Sequence, residues 1–457
     1  MDANDATGRD AATDTAAGAL TRREVLKAGA GAAAAVAAFP TIIPASAFGA
    51  NERIVYGHIG VGGMGSSHIV PDACAALCDV DQNHLAAAAR RVTGAAPLLT
   101  DDYRRVLDRK DIDAVTIGTP DHWHALMTVH ACQAGKDVYS EKPTCKTLAE
   151  GKAMIEAARR HKRVVQIGAQ GRSNPVAAAA CNYIRNDQIG AVKRVEIWHP
   201  NNYVSGSGFA PETAPPPHLN WDLWLGPLAW RPYSPEIVHF HFRWLMDSGG
   251  GFVRDRGNHA LSIVLWCLGQ DGYSGPVRVE ATGRPNPQRV YDVPETMRVT
   301  WTFTDPDWTL VWDQPGTANP RLPGEWGATY TGERGDLVVL GGDGGCDTEA
   351  KAKEYTPPAS GFKAFLEPDG DGPPPDPTER HRRNWRRCIQ TRERPVMDVE
   401  IGVKVIALPI IANAAYRLGR PLTFDPKTWR FVNDPEANRL VDEPYRRPWS
   451  LKGVSAA

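Results

Sequence analysis

Neither sign of charge dominates this 457-residue chain: 52 Lys and Arg stand against 53 Asp and Glu, for a formal net charge of -1. Phosphate backbones demand clustered cations, so the balance argues against a nucleic-acid partner. Arg382-Arg383 and Arg386-Arg387, around Trp385, fall on an expected helix where such residues make a solvated face. Cysteine is sparse and scattered, at 74, 78, 132, 145, 181, 267, 346 and 388, with no C-x-x-C pair and no clustered His/Cys spacing. No structural zinc, no other metal and no obligatory disulfide is expected. Beyond the N-terminal region no segment reads as long and apolar enough to anchor the chain in a membrane.

What the chain does have begins with a leader. Thr21-Arg22-Arg23-Glu24-Val25-Leu26-Lys27 sets two adjacent guanidinium groups ahead of the Ala/Gly-rich run Ala28 to Phe39, and Ala45-Ser46-Ala47 offers the small residues a signal peptidase requires. The run is about a dozen residues, short of the roughly 20 that span a bilayer. A twin-arginine signal over 1-47, cleaved after Ala47, is the expectation, with the export machinery as a partner and a periplasmic or otherwise exported location. An uncleaved anchor is the alternative. Such leaders are read on folded cargo.

Immediately after comes a nucleotide fingerprint. Arg53 to Gly60 reads as a buried strand, and Gly60-Val61-Gly62-Gly63-Met64-Gly65 satisfies G-x-G-x-x-G where that strand should turn into a helix. The glycines allow a tight turn, close approach of a pyrophosphate and close helix packing, and the helix N-terminus would meet the phosphates. Asp79 ends the next apolar strand, Ala73 to Cys78, where a carboxylate can hold ribose hydroxyls and repel a 2′-phosphate, which favours NAD over NADP. An N-cap role for Asp79 or Asp81 is the plainer alternative.

The βα pattern then repeats: helix 81 to 92, strand 113 to 118, helix 121 to 134, strand 137 to 140, helix 147 to 161, strand 163 to 168. This predicts a doubly wound parallel sheet. Ligands on such sheets sit beyond the strands' carboxyl ends, which gathers Thr119-Pro120, Glu141-Lys142-Pro143 and Gln170-Gly171-Arg172 around one crevice. Strands are expected at 192 to 198, 277 to 282, 297 to 303, 308 to 312 and 337 to 340, with Pro-rich loops at 211 to 217 and 368 to 377.

AGKDVYSEKP at 134 to 143, TPDHWHA at 119 to 125 and GGGFVRDRGNHALSIVLWCLG at 249 to 269, together with the fingerprint, resemble the glucose-fructose oxidoreductase / inositol dehydrogenase (Gfo/Idh/MocA) family, including its exported members. The resemblance runs over nearly the whole chain after the leader and implies an α/β protein: an N-terminal Rossmann domain over 48-170, then an α+β domain with a large open, mainly antiparallel sheet. That second domain, for substrate and oligomer contacts, covers 171-395, and a C-terminal helix and tail over 396-457 pack back on the Rossmann domain. A homo-oligomer through the open sheet is implied.

The resemblance further implies Lys142, Asp255 and His259 as catalytic residues. Asp255 and His259 are four apart on an expected helix and so share a face; His259 is the proton acceptor and Asp255 orients substrate. Gly60, Gly62, Gly63, Met64, Gly65, Asp79, Thr119, Pro120, His124, Glu141 and Lys142 form the expected cofactor site. Arg172, Tyr203, Trp221, His239, His241 and Arg243 are candidate carbohydrate contacts, since polyols take bidentate donors and a flat apolar wall. Relatives commonly carry Asp three residues after the catalytic His, where this chain has Ser262. The function expected is NAD-dependent oxidation of a sugar, glycoside or cyclitol hydroxyl. Because an exported protein meets no nucleotide pool, the cofactor is expected to stay bound and recycle. An NAD-dependent glycoside hydrolase or lyase, and a silent nucleotide-bound carbohydrate binder, are the alternatives.

Overall fold

The structure is a computed structural model that describes residues 53–199, 212–287, 290–341, 346–370 and 372–452. The residues of the expected leader and Tyr203 lie outside the described residues. Strands β1 (Tyr56–Ile59), β2 (Cys74–Cys78), β3 (Leu98–Thr100), β4 (Ala114–Ile117), β5 (Asp137–Glu141) and β6 (Val165–Gly168) form a parallel sheet in the order β3-β2-β1-β4-β5-β6. β1, β4 and β6 are buried throughout and mostly apolar, with His58 and Gln166 the larger polar side chains among them, as suits strands covered on both faces. The order reverses between β1 and β4, so the crevice beyond their carboxyl ends is the place such a sheet offers a ligand.

Helices α1 (Gln82–Ala89), α2 (Tyr103–Leu107), α3 (Asp121–Gln133) and α4 (Leu148–Arg160) connect the strands. Their starts are written locally. Asp81 caps α1 by accepting from the Asn83 amide, and Thr147 with Glu150 closes a reciprocal capping box on α4. The short β3 and α2 were not among the expected elements; three residues of strand leave too little periodicity to read.

The glycine fingerprint does not open onto an α-helix. Gly63–His68 is a 3₁₀ segment of six residues, and the chain reaches β2 shortly after Pro71. The stretch between β1 and β2 is too short for a helix of several turns, so the expected helix-terminus field is replaced by individual backbone amides.

After α5 (Pro175–Arg185) the chain builds a second sheet from β7 (Val192–Trp198), β8 (Val277–Pro285), β9 (Pro294–Thr304), β10 (Asp307–Gln314), β11 (Gly327–Gly332), β12 (Gly335–Leu340), β13 (Asp347–Thr348), β14 (Leu422–Asp425) and β15 (Arg430–Phe431). The order is β13-β12-β11-β7-β10-β9-β8-β14-β15, antiparallel except where β7 meets β10. Along β8, Val277 and Val279 are buried while Arg278 and Glu280 are exposed, the period-two pattern of a sheet with one dry face. Between β7 and β8 lie α6 (Trp221–Leu225) and α7 (Phe252–Leu268); α8 (Ala350–Lys353), α9 (Pro377–Thr391) and α10 (Val399–Leu418) come between β13 and β14.

α10 packs against α4, α7 and β8, joining both sheets into one core, and the strand that follows it, β14, extends the large sheet beside β8. By length and composition α10 is apolar enough to cross a membrane, contrary to the expectation that no later segment would be. Its window is 78% buried, so core packing accounts for the apolarity. On α9 the arginines are paired rather than massed for a ligand: Glu379 binds Arg382, Arg383 and Arg386, and Arg387 binds Glu367 and Glu393.

Candidate active site

The loops after β1, β2, β4 and β5 open on a cavity of about 480 Å³ whose far wall comes from α6, the segment 239–243 and the first turns of α7. Gly60, Gly62, Gly63 and Met64 line it from below. Gly60 has φ +74 and its missing Cβ would stand 2.6 Å from the Thr119 amide nitrogen, so no side chain fits there. Gly65 is set back from the cavity: a Cβ on it would lie 1.8 Å from the Gly60 carbonyl oxygen, which makes it the contact that lets the turn close. A Cβ at Gly63 would meet nothing within 4 Å, so the loop faces open space, as a site for a phosphate-bearing cofactor must.

Asp79 lines the cavity, but it is also a brace for the glycine turn. Its Oδ2 accepts from the amides of Val61 (2.8 Å) and Gly62 (3.2 Å), and its Oδ1 accepts from the Asp81 amide at 2.9 Å. Thr119 and Pro120 sit on the wall as expected. His124 does not. Its two ring nitrogens lie 2.7 Å from the Pro143 carbonyl oxygen and 2.9 Å from that of Thr119, so it ties the two loops together from behind. His122 is likewise spent on backbone, facing the Trp224 carbonyl at 2.9 Å, and burial drives its pKa down to about 3.

At the other side of the cavity the three expected catalytic residues come together. β5 ends in Glu141, the chain passes through Lys142 and a cis bond to Pro143, and α7 brings Asp255 and His259 to the same wall. Lys142 Nζ donates to Asp255 Oδ1 at 2.8 Å; Arg243 Nε reaches the same oxygen at 3.3 Å, and Arg256 Nε lies 3.8 Å from Oδ2. Burial alone would raise the Asp255 carboxyl, yet the charges of Lys142 and Arg243 outweigh it and hold the group well below the ordinary carboxylate range. Glu141 is buried beside them and accepts from Gln170 at 3.0 Å, with His68 Nε2 2.8 Å from the same oxygen. Burial raises this carboxyl, but the His68 contact prevails and keeps it below its usual range.

The expected carbohydrate contacts divide. His239 and Arg243 line the cavity, the latter stacked 4.2 Å from the Phe240 ring centroid. Arg172 does not reach it: the guanidinium is buried, donating to Ser262 Oγ at 2.8 Å and to the Asp271 carboxylate. Ser262 thus serves as an acceptor for Arg172. Trp221 is buried against Trp224 and donates to the Arg231 carbonyl, and His241 is absent from the lining residues, turned toward Tyr291 and Phe240. The corrections at Arg172 and Trp221 share one cause: a polar or aromatic side chain near a cleft in sequence still spends its donors on whatever acceptor the fold brings closest.

The residues that sequence reasoning missed are Asp121, Trp123 and Phe240. Asp121 begins α3 on the cavity wall, and burial raises its carboxyl above the usual range; the second oxygen, Oδ2, has no hydrogen-bond partner. Its position in TPDHWHA was the available signal. Phe240, 48% exposed, and Trp123 supply apolar wall; Trp123 stands in the same TPDHWHA stretch, whereas nothing in the sequence context of Phe240 set it apart from the chain's other aromatics.

Comparison with known proteins identifies the two halves of the chain. A model of the oxidoreductase family's NAD-binding Rossmann fold matches residues 54–169, and a model of the same family's C-terminal alpha/beta domain matches 191–341 and 372–451. Levoglucosan dehydrogenase of Pseudarthrobacter phenanthrenivorans is 32% identical over 171 residues, 37% of this chain and 37% of that protein. A glycosyl hydrolase family 109 protein of Saccharopolyspora erythraea is 34% identical over 130 residues, 26% of this chain and 28% of its own length. The chain therefore spans less than half the length of these curated relatives. Among solved structures, aldose-aldose oxidoreductase of Caulobacter crescentus in complex with glycerol aligns with a TM-score of 0.55 at 20% identity, over 81% of this chain and 99% of that one.

Proposed function

The chain belongs to the Gfo/Idh/MocA oxidoreductase family, and from that premise we propose that it oxidises a secondary hydroxyl of a sugar, glycoside or cyclitol with NAD. The observation that carries this reading is the buried Lys142–Asp255 pair, 2.8 Å apart, in the same cavity as the open glycine turn. When bound, NAD supplies the hydride acceptor; Gly60, Gly62, Gly63, Met64, Asp79, Thr119 and Pro120 are the residues placed to hold it.

The chain's own groups handle the proton. Asp255 keeps Lys142 charged and aimed, so its ammonium donates to the substrate oxygen and stabilises negative charge as it develops there. His259 accepts the hydroxyl proton. Arg243 is held by Asp255 and by stacking on Phe240 and Phe242, which places a second donor for neighbouring hydroxyls. Phe240 and Trp123 give the apolar wall on which a sugar ring lies.

The Arg22-Arg23 pair ahead of an apolar run, read as a twin-arginine leader, favours a finer reading, in which the cofactor is loaded before export and recycles between two carbohydrates without leaving. The local likeness to a glycosyl hydrolase family 109 protein favours a second reading: oxidation next to a glycosidic carbon, elimination, hydration and return of the hydride. Incubating the purified protein with a panel of sugars and glycosides, without added NAD, tests both. Keto-sugar formation supports oxidoreduction, and released aglycone supports cleavage. Neither product, even with NAD added, refutes the assignment. Replacing Lys142 by Met should abolish turnover while bound nucleotide remains; unchanged turnover removes Lys142 from the mechanism.

A further inference from the structure

On the Asp79 side of the cavity His218 and His239 approach the Asp81 carboxylate, and His84 lies beside them. Asp81 is buried, with its two oxygens divided: Oδ1 caps α1 through the Asn83 amide at 2.8 Å, and Oδ2 faces outward. His239 Nε2 lies 3.0 Å from Oδ2, and His218 Nε2 lies 3.7 Å from it. One ligand atom each from Asp81, His84 and His239 fall within 4.8 Å of one another.

The placement is built by backbone. Asp81 and Leu219 form an antiparallel bridge, the Gln82 amide donates to the His218 carbonyl at 2.9 Å, and the Asn220 amide donates to the Val80 carbonyl at 2.9 Å. His84 stands in space that Gly62 leaves open, since a Cβ there would come within 2.5 Å of its ring. Its Nδ1 is 3.7 Å from Asp79 Oδ2.

We propose that Asp81, His84 and His239, with His218 beside them, bind a borderline divalent ion of the zinc class. Metal–ligand bonds of about 2.0–2.2 Å in a tetrahedron separate neighbouring ligand atoms by roughly 3.4 Å, and the two measured histidine distances to Asp81 bracket that value. Imidazole and a single carboxylate oxygen select zinc-class ions over calcium or magnesium, which want several hard oxygens. The side chains of His84, His218 and His239 are 33%, 43% and 38% exposed, so an ion has an entry path. Bound there, it joins the segment carrying His239, Phe240 and Arg243 to the nucleotide half across the cavity. The site does not depend on the identity of the sugar or on the reaction type.

Cobalt(II) is the probe. Full-length protein stripped with chelator and titrated with Co²⁺ should bind one equivalent and develop the visible ligand-field absorption of a four- or five-coordinate site, with Zn²⁺ displacing it. His84→Ala and His239→Ala should each weaken binding by on the order of 100-fold. Asp81→Asn, which keeps a good N-cap for α1 and so preserves folding, should do the same. Absence of saturable binding, a six-coordinate spectrum, or affinity unchanged in the variants overturns the proposal.

Discussion

Asp255→Asn isolates the electrostatics of the site. In the native protein one carboxylate, 7% exposed, neutralises Lys142 and contacts Arg243 and Arg256. The amide keeps the shape and removes the negative charge that Lys142 and Arg243 face. Breaking a buried pair by removing one partner costs about 3–5 kcal/mol. For the roughly 400 residues of Ile54–Ala457, at about 2.1 cal/mol/K each, the unfolding entropy is about 0.8 kcal/mol/K, so 3 kcal/mol lowers Tm by about 4 °C. The sign with pH follows from the depressed carboxyl. Its stabilisation is fully present above the unfolded value of about 3.9 and is lost as pH falls further, by about 1.4 kcal/mol per pH unit. Calorimetry of both proteins from pH 8 to 3 should show a constant gap down to about pH 4.5 that then narrows. A gap that is absent at pH 7, or that stays constant to pH 3, would falsify the account of Asp255 as a charge buried against Lys142.

Arg172→Met should lower Tm, because Asp271 and Ser262 lose their donor, while KM for the substrate stays within about twofold, since the guanidinium faces away from the cavity; a tenfold rise in KM refutes that placement. His58, His122 and His381 are buried, and their pKa values are pushed down to about 3, 3 and 4 by burial. Below the unfolded value of about 6.5 the unfolded chain takes up protons that the native state refuses. Stability should therefore decline as pH drops from 6.5 toward 4, and a melting temperature that is flat over that range contradicts it. Gly65→Ala drives a methyl into the Gly60 carbonyl and should give insoluble protein or protein purifying without nucleotide; a soluble, nucleotide-loaded variant would show that the turn can open.

Much of this was legible in the residues. The β1 strand, the glycine turn, the alternating βα units and the 255/259 spacing follow from periodicity and side-chain chemistry, which act over a few residues. The six-residue 3₁₀ segment where a helix was expected was not, because the approach of β2 sets how much chain is left to coil. Nor was the retirement of Arg172, Trp221 and His124 into internal bonds, since Ser262, Trp224 and the Pro143 carbonyl come from elsewhere in the chain. Tyr203 falls outside the described residues and stays a sequence expectation.

The order of residues by itself determined the class of fold and the crevice beyond the strand ends, because local patterning and strand handedness admit few alternatives, whereas Lys142, Asp255 and His259 were singled out by the family resemblance. Tertiary structure alone decided which donors were left to face the cavity. It set three cations around one carboxylate, and it brought His239 to Asp81 across a sequence separation of 158. Long-range contacts of this kind are chosen by packing of the whole core, and no local window contains them.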